Sequence, residues 1–316
     1  MGNIVIPLAR RLAILLLTIV VATTLLFVLV HASGDPTDGF LAPGSPDEVR
    51  EATRMRLGLD RPIGEQYLLF LGRGLTLDFG DSWRNRQPAL DLILQRLPAT
   101  LLLSGLAIAL ATVGGIVLGV GSVVINSAFL RRLVRSIAML GLAMPAFWLG
   151  TIGIVLFAVR LGWLPASGNE GWRALILPAL TLAAYPGALI ARLVQSSLID
   201  VSTRPYLVQA RAKGLGSATV WLRHALPNAL LPAVAIVGVQ ASFLVGGAVV
   251  IESVFAYPGV GRLAMQATSD RDLPVIQAFV TVTIVLVALV NIATDAIAAA
   301  IDPTVRTTSE LAASRG

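Results

Sequence analysis

Residues 206–232, YLVQARAKGLGSATVWLRHALPNALLP, form a basic segment between two long apolar runs. The segment carries Arg211, Lys213 and Arg223 and contains no acidic residue. Charged side chains are costly inside hydrocarbon, so this segment is poor material for a membrane span. Its charged composition instead favours a segment that lies in water and docks on a partner.

Local residue types predict that the segment begins with a short helix that ends at a glycine hinge. Ser202 and Thr203 offer side-chain oxygens for an N-cap, and Pro205 fits the first turn of a helix. Gly214 and Gly216 are expected to end this helix, because glycine adopts the left-handed backbone conformation at little cost.

A second short helix is predicted to begin near Ser217 and to run to about Leu226. Pro227 is expected to break it and Pro232 to bend the chain that follows, because proline lacks a backbone N–H and clashes with the preceding turn. Prolines in other apolar runs are expected to kink or interrupt helices in the same way: Pro145, Pro178 and Pro186.

The sequence lacks the motifs of nucleotide binding and hydrolysis. A Walker A loop ends in Gly-Lys-Ser/Thr, whereas Lys213, the single lysine, is followed by glycine. Neither H-E-x-x-H nor G-x-S-x-G occurs, which disfavours an enzyme. Cysteine is absent and the two histidines are His31 and His224, so no metal site built by this chain is expected.

A few ionisable residues stand inside or at the edge of apolar runs, where they are functional candidates. Glu252 has two interpretations: a carboxylate at a gate or substrate contact, or one satisfied by water or by a neighbour such as Arg262. Asn291 and Asp295 stand four residues apart, hence on one helix face, which favours hydrogen bonding between helices. Arg192 is expected to extend its charged end to the membrane interface.

Composition places the chain in the membrane. Of its 316 residues 56% are hydrophobic and 13% are charged, whereas charged residues make up about a quarter of a soluble domain. The net charge of +6, from 24 basic and 18 acidic residues, could also suit nucleic acid or an anionic membrane surface. In a membrane protein the distribution of charge matters more than the total, and no nucleic-acid partner is expected.

Six predominantly apolar runs reach the roughly 20 residues needed to cross about 30 Å of hydrocarbon, and the last contains Asp295 near its end. The sequence therefore predicts an all-α polytopic membrane protein with six transmembrane helices. The predicted division is an N-terminal span with an external segment (1–97), a transmembrane domain of five helices (98–301) and a tail (302–316). The runs cover approximately residues 12–30, 98–124, 136–159, 174–198, 225–251 and 273–301.

The first run also resembles a cleavable signal peptide, because Val30, His31 and Ala32 could pass for a small-residue cleavage site. Its apolar stretch of about 19 residues exceeds the 7 to 15 that are usual for a signal peptide. A retained span is therefore favoured.

The distribution of arginine orients the chain, because translocation disfavours positively charged loops. Arg10 and Arg11 precede the first span, and the loop after the second span carries three arginines and no acid. Both are expected in the cytoplasm, which places residues 199–224 and both termini there as well. Residues 31–97 then lie outside, where we expect amphipathic helices near the membrane face and a vestibule lined by the stretch GLTLDFGDSW.

Five sequence elements, in order, resemble the membrane subunit of bacterial ABC importers of the dipeptide, oligopeptide and nickel group. The basic segment is similar to the cytoplasmic "EAA" loop of that family, although Val208 stands where the wider family has Glu and Gln209 where it has Ala. The early elements favour the first, "B" type, of two homologous permeases. The elements are LGLDRP (57–62) with QYL (66–68), QRLPATL (95–101), Ala210, Lys213 and Gly214 with Leu226-Pro227, GGAVVIESVFAYPGVGRL (246–263) and IDPTVR (301–306).

The resemblance implies a type I ABC importer permease fold in a bacterial cytoplasmic membrane. It implies a homologous second permease that completes the pathway, two subunits that bind ATP and Mg, and an extracytoplasmic substrate-binding protein; this chain would bind no cofactor itself. The cargo would be a dipeptide or oligopeptide, or alternatively a nickel chelate or glutathione. The implied coupling loop covers about 200–227, with Tyr206, Gln209, Ala210, Arg211, Ala212, Lys213, Gly214, Leu226 and Pro227; the implied gate or pathway residues are Glu252, Tyr257, Pro258, Gly259 and Gly261.

Two other classes of membrane protein remain as alternatives. An ion-coupled secondary transporter needs ion-binding residues near mid-membrane and usually an internal repeat, and the sequence offers neither. A purely structural membrane protein would not need a cytoplasmic loop punctuated by proline and glycine.

Overall fold

The fold is helical. A computed structural model describes residues 2–32, 34, 37, 41, 45–125, 127–216 and 219–301. Within these ranges every regular element is a helix, and one isolated extended pair joins Asp81 and Pro88. The predicted all-α class is therefore confirmed. The predicted tail, 302–316, lies outside the described residues.

The helices are numbered here in chain order. The helix Ala146–Gly153 continues into wider, π-helical turns over Ile154–Arg160, and similar turns over Val220–Ala225 lead into the helix Leu226–Val254. The helices are α1 (Gly2–Ala32), α2 (Asp47–Leu57), α3 (Ile63–Thr76), α4 (Ala89–Val124), α5 (Ala128–Ala143), α6 (Ala146–Gly153), α7 (Arg173–Ser202), α8 (Pro205–Ala212), α9 (Leu226–Val254), α10 (Val260–Ser269) and α11 (Leu273–Ile301).

Four helical stretches in the described chain are long and apolar enough to cross a membrane: α4, α7, Val220–Val254 and Leu273–Ile297. Ala13–Leu29 of α1 is a shorter apolar helix, and α5 with α6 passes the same test only as a bent pair. These elements coincide with the six predicted runs. The number of spans stays a prediction, because a bent pair is either one broken span or a re-entrant loop.

The predicted span over 136–159 is not one straight helix, because the chain bends by 114° between α5 and α6. Pro145 precedes α6, and Met144 before it is extended, with φ −96° and ψ 133°. Proline disfavours the helical conformation of the residue before it, so Pro145 interrupts the helix as predicted. The other prolines lie inside helices that continue through them: Pro178 and Pro186 in α7, and Pro232 in α9.

The chain divides into two compact units, which cut across the predicted domain division. The first contains Met1–Thr100 and Pro258–Ala288, with a buried core that includes Phe79, Ile93 and Val275. The second contains Leu101–Tyr257 and Leu289–Gly316. The predicted external segment contributes α2 and α3 to the first unit; its position outside the membrane stays a prediction.

In the first unit α3 is fastened to α1 by polar and aromatic contacts. The hydroxyls of Thr24 and Tyr67 lie 2.8 Å apart, and the ring of Phe27 lies edge-on to Tyr67 with centroids 5.4 Å apart. His31 Nε2 lies 3.1 Å from Gln66 Oε1. Gln66 and Tyr67 belong to the QYL element, which therefore positions α3 along the apolar helix.

In the second unit α7 is the central helix. In its apolar window 67% of residues are buried, against 28% to 33% for the other three spanning stretches. It packs against α5, α6 and α9. Between α9 and α11, Ser242 Oγ donates to Asn291 Oδ1 at 2.6 Å, which confirms the predicted interhelical hydrogen bond for Asn291.

Close approach to α7 depends on glycine in the neighbouring helices. A Cβ on Gly115 of α4 would lie 2.7 Å from the carbonyl oxygen of Gly187, and a Cβ on Gly141 of α5 would lie 2.7 Å from that of Ala184. Backbone oxygens cannot move aside as a flexible side chain can. Small residues at such contacts let membrane helices approach closely enough for dispersion attraction to hold them together.

Gly115→Ala is expected to lower stability by about 1 to 3 kcal/mol, because the methyl group overpacks the α4–α7 contact. The measurement is the thermal unfolding midpoint of the detergent-solubilised chain, followed by tryptophan fluorescence. Gly114→Ala is the matched control, since a Cβ at Gly114 has no neighbour within 4 Å. Equal midpoints for the two variants would contradict the packing argument.

Candidate functional site

The candidate coupling loop begins with α8, which has a buried edge and an exposed face. Leu207 is fully buried and Ala210 is 8% exposed; at three residues apart they share one side of the helix. Tyr206 and Val208 turn outward, with 41% and 55% of their surface exposed. Leu207 and Ala210 therefore pack α8 against its surroundings, and the side chains of Tyr206 and Val208 remain exposed.

The hydroxyls of Ser202 and Thr203 do not cap α8. Ser202 Oγ donates to the carbonyl oxygen of Ile199 at 2.7 Å, and Thr203 Oγ1 to that of Asp200 at 2.8 Å. These carbonyls belong to the last turn of α7 and lack partners along the helix, so the adjacent hydroxyls satisfy them. The predicted N-cap is therefore wrong, whereas Pro205 does begin α8 as predicted.

The turn after α8 closes at Gly214, whose φ is +77°. The N–H of Leu215 donates to the carbonyl oxygen of Ala210 at 3.4 Å, across the left-handed residue. This is the Schellman ending of a helix, and it confirms the prediction for Gly214. The prediction for Gly216 is wrong, because Gly216 has no positive φ.

We call the exposed side chains Tyr206, Val208, Gln209 and Lys213 the coupling face. It combines apolar area with one amide and one cation, a mixture that suits docking on a protein surface. The remaining coupling candidates are distributed as follows: Ala212, Gly214 and Pro227 are exposed, Leu226 is half-buried, Ala210 is buried, and the side chain of Arg211 lies outside the described residues.

The predicted break at Pro227 is wrong. The turns over Val220–Ala225 run into α9 without interruption, and Pro227 lies in its first turn. A proline fits there because the first turn of a helix needs no N–H donor from it and the preceding turns are wider. Val220 and Ala225 are buried, so the return from the coupling loop is packed into the second unit.

Glu252 lies one turn before the other end of α9 and is fully buried. One interpretation of Glu252 is a carboxylate satisfied by water or by a neighbour such as Arg262. Because Glu252 is fully buried, open water does not satisfy it. The coupling loop and Glu252 stand at opposite ends of one helix, roughly 40 Å apart at 1.5 Å per residue. The structure does not bring the two sets of candidate residues together.

After Glu252 the chain reverses sharply. The N–H of Tyr257 donates to the carbonyl oxygen of Glu252 at 2.8 Å, and Ala256 between them has a φ of +48°. The N–H of Gly168 donates to the carbonyl oxygen of Phe255 at 3.1 Å, which ties the reversal to the loop before α7. Burial raises the pKa of the Tyr257 phenol, and the nearby Glu252 carboxylate raises it further.

The remaining gate candidates lead into α10. Gly259 precedes its first residue in an extended conformation, and the N–H of Val260 donates to Thr100 Oγ1 at 2.9 Å. Pro258 is half-buried, and Gly259 and Gly261 are buried. Thr100 belongs to the QRLPATL element, so two of the sequence elements meet at this hydrogen bond.

Sequence reasoning missed a buried carboxylate, Asp272, directly before α11. It is 2% exposed and accepts a hydrogen bond from Ser82 Oγ at 2.5 Å, from the N–H of Trp83 at 3.1 Å and from that of Arg84 at 3.4 Å. It therefore clamps the hairpin that contains the extended pair onto the turn after α10. The available signal was an acidic residue immediately before an apolar run.

Clusters of metal-ligating side chains are absent from the part of the chain that the structure describes. Within it, no three His, Asp or Glu side chains lie close enough together to hold a metal ion.

The fold and these sites define a polytopic membrane protein with an exposed helical loop at one end of a long apolar helix. The sequence profile of the family described as "Binding-protein-dependent transport system inner membrane component" matches residues 111–307. The chain belongs to this family: it is an inner-membrane permease subunit of an ABC importer. The resemblance stated from its motifs is thereby confirmed.

Relatives and solved structures agree with this assignment. The glutathione transport system permease protein GsiC of Escherichia coli (strain K12) is 38% identical over 298 residues, which cover 94% of this chain and 97% of GsiC. GsiC of Shigella flexneri serotype 5b (strain 8401) matches to the same extent.

Two solved structures show the same fold. A chain of the methionine ABC transporter MetNI, in inward-facing conformations, has a TM-score of 0.57 and 23% identity over 67% of this chain and 96% of that chain. A chain of an amino acid ABC transporter with histidines has a TM-score of 0.53 and 15% identity, over 66% and 93%.

Asp272→Ala is expected to lower stability by about 3 kcal/mol, because it leaves a hydroxyl and two backbone N–H groups without their acceptor. Limited proteolysis between residues 80 and 88, together with the thermal midpoint, measures the release of the hairpin. Asp270→Ala is the matched control: its partner Arg84, at 3.1 Å, is 60% exposed, and such pairs contribute about 1 kcal/mol or less. Equal cleavage rates for both variants would show that Asp272 does not hold the hairpin.

Proposed function

We propose that this permease carries short peptides of the size of glutathione and that the coupling face docks on an ATP-binding subunit. The observation that carries the proposal is the geometry of α8, in which a buried edge and the left-handed turn at Gly214 hold an exposed docking surface. Such a surface has no role in a span, because its amide and cation face water. The proposal makes this chain a mechanical subunit without catalytic residues.

The proposed complex has four further subunits. A homologous permease completes the pathway, two ATP-binding subunits hold ATP and Mg, and an extracytoplasmic binding protein delivers cargo. The family assignment supports partners of the ATP-binding and substrate-binding kinds. Both termini and the loop around α8 lie in the cytoplasm in this proposal, as the arginine distribution predicts.

In the proposed cycle, ATP draws the two coupling loops of the complex together and favours the outward-open state, and hydrolysis reverses the change. A shift from 1:99 to 99:1 needs about 5.5 kcal/mol of differential binding. ATP at the partner subunits supplies this energy. The coupling face transmits it, because α8 is packed through Leu207 and Ala210 rather than suspended on a flexible loop.

The proposed cargo rests on the relatives. GsiC, named for glutathione transport, aligns with 94% of this chain, which favours a short peptide with carboxylate groups. Dipeptides and oligopeptides remain in the same chemical class. Nickel chelates are the second candidate of the family, but no observation on this chain favours them.

Gly214→Pro and Ala210→Asp are both expected to abolish cargo-stimulated ATP hydrolysis while insertion into the membrane is retained. Proline cannot adopt the φ of +77° at position 214, and aspartate would bury a charge at a position that is 8% exposed. The assay uses proteoliposomes that contain the whole complex with its binding protein. Glutathione, a dipeptide and a nickel chelate are supplied in turn as cargo.

Gly216→Ala is the matched control, since Gly216 has no positive φ and no neighbour within 4 Å of a Cβ. It should retain full stimulation. Wild-type stimulation in both Gly214→Pro and Ala210→Asp would refute the coupling role. Stimulation by the nickel chelate but by neither peptide would refute the proposed cargo while it leaves the coupling role intact.

Glu252→Gln is expected to reduce cargo uptake several-fold without loss of the complex, because the amide keeps the shape of the buried side chain and removes its charge. Uptake by proteoliposomes and co-purification of the ATP-binding subunits are measured together. Ser253→Ala is the control: Ser253 is exposed and its hydroxyl donates to the carbonyl oxygen of Val249 within α9. Wild-type uptake in Glu252→Gln would assign the carboxylate to packing alone.

A further inference from the structure

Among the described residues that line a cavity of about 330 Å³ in the first unit, three are arginines and none is acidic. Arg56 comes from the end of α2, Arg61 from the turn after it, and Arg73 from α3. Aromatic side chains, among them Phe27 and Phe70, complete the wall. We call this cavity the arginine pocket.

No ion pair within the described residues compensates the positive charge of the arginine pocket. Arg56, Arg61 and Arg73 form no ion pair with a carboxylate in the described chain, whereas Arg84 of the same unit is paired with Asp270 at 3.1 Å. Arg56, Arg61 and Arg73 are exposed, so solvent screens part of their mutual repulsion, and an anion that joins them removes the rest. The planar guanidinium group binds phosphates and carboxylates through two parallel hydrogen bonds, so the lining fits an oxyanion of either kind.

The backbone around the arginine pocket is fixed. Gln66 Nε2 donates to the carbonyl oxygens of Leu59 and Arg61, at 3.2 and 2.8 Å, and so holds the turn that carries Arg61. Gly58 and Gly80 have φ of +70° and +76°, and a Cβ on either would lie 3.7 Å from the guanidinium of Arg61 or Arg73. The backbone of the turn that carries Arg61 is therefore fixed by side-chain hydrogen bonds.

The arginine pocket is continuous with apolar surface at the end of a membrane helix. Phe27, in its wall, belongs to the apolar stretch Ala13–Leu29 of α1. Val28 and Leu29 beside it are 55% and 64% exposed, and Leu69 of α3, which also lines the cavity, is 45% exposed. A soluble anion would leave this apolar surface uncovered, whereas a lipid covers it with its acyl chains.

We propose that the arginine pocket binds the headgroup phosphate of an anionic phospholipid, with the acyl chains along α1 and α3. Arg56, Arg61 and Arg73 hold the phosphate, and Val28, Leu29 and Leu69 contact the chains. The bound lipid fastens the helices α2 and α3 to the membrane at the end of α1. This inference does not depend on which cargo the complex carries.

The full chain, reconstituted in nanodiscs of phosphatidylcholine with added phosphatidylglycerol, is analysed by native mass spectrometry after release from the disc. Wild type is expected to retain one phosphatidylglycerol in preference to phosphatidylcholine. The triple variant Arg56→Gln, Arg61→Gln, Arg73→Gln is expected to weaken this retention on the order of 100-fold, since each arginine near a lipid contributes about a factor of five. Arg84→Gln, which removes the paired arginine, should retain the lipid as wild type does.

A photoreactive phosphatidylglycerol provides a second measurement on the wild-type chain alone, which does not depend on the folding of the variant. Cross-links in α1 near Leu29 and in residues 55–73 support the site. The proposal is overturned if cross-links fall elsewhere, if phosphatidylcholine is retained equally, or if Arg84→Gln loses as much lipid as the triple variant. Displacement of the lipid by inorganic phosphate or glutathione would overturn it in favour of a site for a soluble anion.

Discussion

The close contact of α7 with its neighbours is the constraint on which the second unit depends. Inside a bilayer the lipid tails are as apolar as the side chains, so helices associate through packing and not through the exclusion of water. Gly115 and Gly141 allow α4 and α5 to reach the backbone of α7, which makes this helix the most buried of the spanning stretches. Since α8 follows α7 after two residues, the same packing fixes where the coupling face begins.

The class of protein, the helical fold and the approximate spans could be predicted from the sequence, because apolar runs of membrane length have few other solutions. The left-handed turn at Gly214 was also predictable, since glycine after a short helix commonly has that role. What these predictions share is that each depends on residues close together in the chain.

The failures depend on context that a local pattern does not contain. Pro145 breaks a helix whereas Pro178 and Pro186 lie inside one, although all three are prolines in apolar runs. The hydroxyls of Ser202 and Thr203 could either accept from N–H groups at the start of α8 or donate to carbonyl oxygens at the end of α7. They donate to the carbonyl oxygens of α7.

Contacts between residues that are far apart in the chain are harder still to predict from the sequence. Asp272 meets Ser82 across 190 residues, and Val260 meets Thr100 across 160. The second contact joins two of the sequence elements that resemble the family, QRLPATL and GGAVVIESVFAYPGVGRL. The resemblance identified both elements but did not indicate that they are in contact. Both contacts hold the first unit together at the ends of helices, where backbone groups lack partners along the helix.

The unbroken course of α9 has a mechanical consequence. Because this helix joins the return from the coupling loop to Glu252 without a hinge, it behaves as a lever arm, and a tilt of about 6° over roughly 40 Å displaces the far end by about 4 Å. Pro232 lies inside α9, and the helix continues through it. A tilt of α9 at one end is therefore carried to its other end by the helix backbone, with no relay of side chains in between.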